Sequence, residues 1–282
     1  MRFGVEACLT DATVDVRTVA TDIESAGLES MFVTQHTHVP ITRRDLLSDP
    51  SHYADPRLLD PFVALGAAAG VTERITLGTA TCLAAQYDTI ILAKQVATLD
   101  LVSHGRFVFG VSAGWLTEEM ANHQLDPSSR WKKLREQILA MKQIWTTDEA
   151  EFHGRFVDFD RIWQWPKPVQ QPHPPVLIGG RAPKTLWRVV DHGDGWLPIV
   201  GPQTDIEREV DELHCLATEA GRPHPSVTAC IWAIDEALIE RCASAEVDRC
   251  LVWQIPDDPA TFNIFLDRLS RVAERYTSWS ER

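Results

Sequence analysis

The chain has 282 residues, 44% of them hydrophobic and 24% charged, with a formal net charge of −13 at pH 7. This is globular composition, sufficient for one large domain or two small ones, and its acidity argues against nucleic-acid or anionic-lipid partners. The opening MRFGVEACLTDATVD puts acids where a signal peptide needs an apolar core, and the run 61–71 is too short to span a bilayer. A cytoplasmic protein that does not enter the membrane is expected. Cys8, Cys82, Cys215, Cys230, Cys242 and Cys250 show no paired spacing, so neither a zinc framework nor a disulfide framework is expected. They read as small core residues, with Cys82 alone placed near a site. No linker composition interrupts the chain, and residues 1–282 read as one domain.

In chain order, β-rich runs alternate with helical patterns. Strands are predicted over 3–7, 30–36, 75–83, 106–112, 175–180, 195–200, 227–234 and 249–255. Most are continuous apolar runs, which suits parallel strands covered on both faces. A helix is predicted over 60–71, with Asp60 as N-cap and Pro61 in its first turn. Over 129–146, Trp131, Leu134, Ile138, Met141 and Trp145 form a buried stripe at intervals of three and four. The last helix repeats the pattern with Phe262, Leu266, Leu269, Val272 and Tyr276. Eight strands each followed by a helical segment predict a (β/α)8 barrel of the α/β class. The rival, a doubly wound sheet, needs a glycine-rich loop after its first strand, and 8–14 (CLTDATV) has none. Residues 151–175, with five prolines, Trp163 and Trp165, break the alternation and suggest a hairpin turn at His153-Gly154. They are either a surface excursion or a partial cover near the barrel mouth that brings Trp163 or Trp165 to the ligand.

Active sites of such barrels gather at the carboxyl ends of the strands. The candidates are then Glu6, Gln35 to His38, Thr79 to Cys82, Ser112 to Trp115 and Gly179 to Ala182. His36 and His38 lie two apart, so on an extended chain they share a side. The segment VLIGGRAPKTLW is a strand, two glycines and a helix start with Pro183 in its first turn. That suits a phosphate, with Arg181 as an added charge, or simply a tight turn. Small residues on the third strand leave room for a flat ring or merely alternate with large ones in the core. His52, His123 and His214 read as surface residues.

Taken together, FVTQHTHVP, LDPFVALGAAAGVTERITLGT, ILAKQVATLDLVSHGRFVFGVSAGW, RWKKLREQILAMKQIWTTDEAEFHGRFVDFD, WPKPVQQPHPPVLIGG and DHGDGW resemble the luciferase-like monooxygenase superfamily. More narrowly, they resemble its oxidoreductases that use the deazaflavin coenzyme F420. The resemblance implies a ring seated at the barrel mouth on a bulge of the third strand, with a non-prolyl cis peptide at Ala80–Thr81. It implies a phosphate tail held by Gly179, Gly180, Arg181 and Ala182. Gln35, Thr79, Ala80, Thr81, Ser112, Ala113, Gly114 and Trp115 would line the coenzyme, and His36 would be the catalytic proton donor or orienting group. Glu6, His38 and Trp163 are the candidate substrate contacts, and a homodimer is expected from relatives.

Two departures qualify this. Gln35 stands where many relatives carry an acid, and Trp115 where the deazaflavin sugar-phosphate dehydrogenases carry a catalytic glutamate. A tryptophan cannot exchange a proton, so sugar-phosphate chemistry is not expected. The compact segment from 203 on favours the deazaflavin branch. The expected activity is hydride transfer between F420 and a small organic substrate, with an imidazole titrating near pH 6.5 well suited to the proton. FMN-dependent monooxygenation is the alternative. A metal-dependent barrel hydrolase using the H-x-H pair is a minor one, since the late strand ends offer no histidine ligand and no metal is expected. A flavin-binding barrel without turnover is a further possibility.

Overall fold

The computed structural model describes residues 1–48 and 55–277; His52 lies outside them. The strands are β1 (Arg2–Ala7), β2 (Ser30–Val33), β3 (Thr76–Thr79), β4 (Phe107–Val111), β5 (Glu149–His153), β6 (Asp158–Trp163), β7 (Val176–Gly179), β8 (Gly195–Leu197), β9 (Ser226–Ile231) and β10 (Arg249–Gln254). The helices are α1 (Val16–Ser25), α2 (Pro61–Ala69), α3 (Thr89–Val102), α4 (Thr117–Asn122), α5 (Arg130–Thr146), α6 (Thr185–His192), α7 (Ile206–Glu219), α8 (Glu236–Ser244) and α9 (Pro259–Thr277). All strands but β5 and β6 close into a parallel barrel in the order β1-β10-β9-β8-β7-β4-β3-β2, the expected (β/α)8 architecture. Helix starts follow local chemistry. The Asp60 side chain accepts from Val63 N at 3.0 Å, Pro61 follows it, and Asp88 caps α3 by accepting from Ile91 N at 2.9 Å. No helix among the described residues is long and apolar enough to cross a membrane.

Period-two alternation divides the core in two. Phe3, Val5, Ala7, Met31 and Val33 point outward into the layer under the helices, whereas Phe32, Val108, Leu177, Leu197 and Leu251 fill the lumen. Gly78, opposite Phe32 in register, clears space for that ring; a Cβ built on Gly78 would overlap it. At the amino-terminal end, Arg249 lies 5.4 Å over Phe32 and donates to both oxygens of Glu29 at 2.7 and 2.8 Å. The lumen is thus packed and sealed below, and its carboxyl end is left to the loops. The small residues of the third strand serve both purposes considered above: Gly78 admits core packing, while Ala80 and Thr81 line a cavity.

Of the two readings of 151–175, the segment forms the surface excursion and not the cover over the mouth. β5 and β6 make an antiparallel hairpin turning after His153. Its turn is tied to α5, where Glu136 accepts from Phe156 N at 2.6 Å and Val157 N at 3.1 Å. The proline-rich remainder is tied to α3 through Gln164 to Ile90 O at 2.9 Å and through Val169 and Gln170 to Asp100 at 2.6 and 3.0 Å. These bonds hold the segment against the outer flank of the barrel, leaving Trp163 77% exposed and outside the cavity wall.

The Phe32–Gly78 fit generates a direct test. Gly78→Ala should destabilise the fold by about 1–3 kcal/mol through overpacking, and Phe32→Leu in the same chain should recover part of the loss. Urea midpoints of the two variants check this.

Candidate active site

Predicted to run to His36, the second strand ends at Val33. Beyond it the chain is held by side chains: Gln35 Oε1 accepts from Leu83 N at 2.9 Å, and its amide donates to the Tyr87 hydroxyl. The extended alternation that would align His36 with His38 is therefore absent. The two rings diverge, His36 buried at the cavity and His38 half-buried outside its wall.

His36 Nδ1 lies 2.7 Å from Glu119 Oε2 on α4. Glu119 is fully buried, and burial pushes its carboxyl up. The hydrogen bond and charge of His36 and the donors of Thr37 outweigh that and hold it below its ordinary value. Its other oxygen accepts from Thr37 N at 2.8 Å and Thr37 Oγ1 at 2.9 Å. An ionised carboxylate only accepts, so the His36 proton sits on Nδ1, and Nε2 is the nitrogen available to a ligand.

The Thr37 hydroxyl also meets His38 Nδ1 and His123 Nε2, each at 2.8 Å, while Asn122 Nδ2 lies 2.9 Å from His38 Nε2. His123, expected at the surface, is part of this exposed network. The ligating atoms of His38, Glu119 and His123 come within 4.8 Å of one another. With Thr37 donating to Glu119 and accepting from both rings, every proton of the trio is placed. The hydroxyl fills the point on which the three groups converge, at hydrogen-bond rather than metal-ligand distances.

Past Thr79 the third strand bulges, and the Ala80–Thr81 peptide is cis. Both neighbours hold the bulge: Ala80 N donates to Val33 O at 2.8 Å, Cys82 N to Gly110 O at 2.8 Å, and Thr81 Oγ1 to Ser112 Oγ at 2.7 Å. Above it opens a cavity of about 220 Å³ walled by Glu6, Gln35, His36, Ala80, Thr81, Ser112, Gly114, Trp115, Gly179 and Gly180. Of the remaining candidates, Thr79 lies behind the wall with its hydroxyl on Gly110 O at 2.6 Å, and Ala113 is packed in the outer core. Sequence reasoning missed Thr34, Leu83, Trp131, Leu197, Ile199 and Cys230. Cys230, not Cys82, is the cysteine at the site. The edge of Trp115 meets the His36 ring with centroids 5.7 Å apart.

At the β7 end, Gly179 and Gly180 line the cavity; Gly180 has φ +102°, and nothing lies within 4 Å of a Cβ built there. That turn is open to a ligand. Arg181, however, is exposed and paired with Glu209, its Nε 3.0 Å from Oε2, and Ala182 is exposed too. Pro183 precedes the helix rather than opening it, since α6 starts at Thr185. Two other arginines hold unmet donors. Arg188 on α6 lies 4.0 Å over Trp131, burial and the charge of Arg130 lower its pKa, and its Nη1 is buried without a partner. Arg130 Nε is likewise buried and unpartnered. Both guanidiniums lie next to the wall residue Trp131, and their spare N–H groups could serve an anion.

A larger depression of about 850 Å³ lies at the opposite end, around Met1, Arg2 and Tyr276. Two pairs of its polar groups engage each other, Arg2 with Glu29 at 3.4 Å and the Tyr276 hydroxyl with Glu240 at 2.8 Å. In this architecture chemistry belongs to the carboxyl rim.

Comparison with known proteins agrees with this fold. An uncharacterized protein of Mycobacterium tuberculosis is 40% identical over 229 residues, 79% of this chain and 80% of its own. The FMNH2-dependent dimethylsulfone monooxygenase of Pseudomonas putida is 32% identical over 181 residues, 62% of this chain and 49% of that enzyme. Among solved structures, an F420-dependent secondary alcohol dehydrogenase in complex with an F420–acetone adduct superposes with a TM-score of 0.78 at 18% identity, covering 96% of this chain and 97% of its own. The model for the luciferase-like monooxygenases matches residues 6–271, from the first strand into the last helix, and the chain belongs to that family.

Proposed function

We propose that this protein transfers a hydride between the deazaflavin coenzyme F420 and a small organic substrate, with His36 exchanging the accompanying proton. The observation that carries the reading is the buried His36–Glu119 pair beside an open ring seat. A bound deazaflavin supplies a two-electron hydride at its ring carbon. The residues present suit such a group. Ala80 and Thr81 offer a flat seat, and Ser112, Gly114, Gly179 and Gly180 permit close approach. Arg130 and Arg188, rather than Arg181, have donors to spare for its phosphate.

The chain's own part is positional and protonic. Glu119 holds the His36 ring through Nδ1 and would stabilise the ring once charged. In the direction of alcohol oxidation Nε2 takes the hydroxyl proton; in carbonyl reduction it returns one to the oxygen. Trp115 and Trp131 form the half-exposed aromatic wall at the mouth of the seat. A second reading, FMN-dependent monooxygenation, is favoured by the dimethylsulfone enzyme's likeness at over 30% identity. We further infer a cytoplasmic homodimer: five of the six free thiols are buried, and the neighbouring helices α2 and α3 each expose an apolar side chain, Val63 and Ile91.

Absorbance titration of the apo protein should give tighter binding of F420 than of FMN; micromolar affinity for FMN alone would overturn the ranking. Arg188→Gln or Arg130→Gln should weaken binding of the preferred coenzyme roughly ten- to a hundredfold, the scale of a charge-assisted hydrogen bond. An unchanged affinity would move the phosphate elsewhere. His36→Ala should lower turnover by about 10²–10⁴-fold with little change in coenzyme affinity. Glu119→Gln should lower turnover by a smaller factor and shift the pH profile; an unaltered rate in both variants would remove the pair from catalysis.

A further inference from the structure

We propose that Glu6 is the group by which this cavity recognises its substrate: it donates to the oxygen of an uncharged carbonyl or hydroxyl compound, and the site turns anionic compounds away. The proposal rests on the cavity being the ligand seat described above, but not on which coenzyme occupies it.

Glu6 stands on β1 in register with Phe32 of β2 and Trp253 of β10. Phe32 belongs to the packed lumen, so Glu6 forms the floor of the cavity, below the level of His36, which follows four residues after Phe32. Its side chain is 2% exposed, and Oε2 has no hydrogen-bond partner. A buried carboxyl aimed into a cavity with an oxygen unmet has its partner still to come.

The surroundings decide which partner. Among the described residues no lysine or arginine lines the cavity; around Glu6 stand Cys230, Thr34, Leu197 and Ile199, with Trp115 and Trp131 toward the mouth. The titratable groups facing it are Cys230 from β9, His36 beyond β2 and Cys8 just past its own strand. None of them supplies a fixed positive charge, and Cys230 gives only a thiol contact. Burial therefore pushes the Glu6 carboxyl up to about 8. At neutral pH it carries its proton and presents an O–H donor to the cavity. A carbonyl or hydroxyl oxygen accepts that donor at no cost in charge. A carboxylate or phosphate on the substrate would enter an apolar chamber with no cation to meet it. The two unmatched arginines lie by the mouth, on α5 and α6, where an anionic coenzyme arm would engage them.

The test uses protein labelled with ¹³C at glutamate carboxyls, the Glu6 resonance being identified by its loss in Glu6→Gln. The probes are cyclohexanone and its anionic counterpart cyclohexanecarboxylate, each titrated with and without the coenzyme that the absorbance titration selects. At pH 7 the Glu6 resonance should be that of a protonated carboxyl, shift with the ketone and ignore the carboxylate. The ketone Kd should rise about tenfold per pH unit above pH 8 in the native chain and stay level in Glu6→Gln, which cannot ionise. Glu6→Leu should lose the ketone while its melting temperature reports a folded protein. A carboxylate bound as tightly as the ketone, a Glu6 resonance unmoved by the ketone, or a flat pH profile in the native chain would each overturn the proposal. Coenzyme affinity in Glu6→Gln is read separately. If neither coenzyme binds the native chain, the functional reading fails by itself, and discrimination between the two probes still decides the role of Glu6.

Discussion

How far up the lumen is filled governs the rest of this molecule. Phe32 lies across the barrel where Gly78 leaves room, Leu177 and Leu251 complete the layer, and the Arg249–Glu29 pair seals the end below. Close packing to that height makes the barrel a solid support rather than a pore. It also stops there. Glu6, in register with Phe32, and Ala80 and Cys230, packed with it, turn small or polar side chains to the carboxyl end and leave a chamber instead of a plug. The floor of the site is thus the top of the core.

Around this site the protein sets two carboxyl groups in opposite electrostatic situations. Glu119 is buried yet surrounded by donors from His36 and Thr37, so it stays ionised and fixes the ring it holds. Glu6 is buried with no such donors and keeps its proton. The same side chain therefore serves as a fixed anion at the rim and as a neutral acid below, the difference being the number of N–H and O–H groups supplied to each. His36 lies between these environments with one nitrogen committed and one left for chemistry. The cavity thus holds few polar groups, each in a different electrostatic setting.

The histidine pair that first suggests a metal has another use. His36 works inward, toward Glu119 and the cavity, while His38 turns outward to share the Thr37 hydroxyl with His123. The network ties the loop after β2 to α4, so the position of His36 depends on two elements distant in the chain. The ring is thereby fixed from both its own loop and a neighbouring helix.

Much of the architecture is written in short-range pattern. All eight barrel strands follow from short apolar runs, and the Asp60 cap and the stripes of α5 and α9 from capping chemistry and the 3.6-residue period, signals that act over a few residues. The carboxyl-end rule then pointed to Glu6, His36, Ala80–Thr81 and the Gly179–Gly180 turn, all of which reach the cavity wall. What pattern could not supply were the partners. Glu119 pairs with His36 across 83 residues, and nothing in its TEEM segment distinguishes it from a solvated helix start. Arg130 and Arg188 meet at Trp131, whose spacing reads as core, and Arg181 is occupied by Glu209 from another helix. The end of β2 at Val33 and the placing of 151–175 against the flank were likewise settled by side chains from distant segments. Local sequence determines which residues can form strands, caps and buried faces. Only closure of the barrel decides which polar groups end up without water and must find one another.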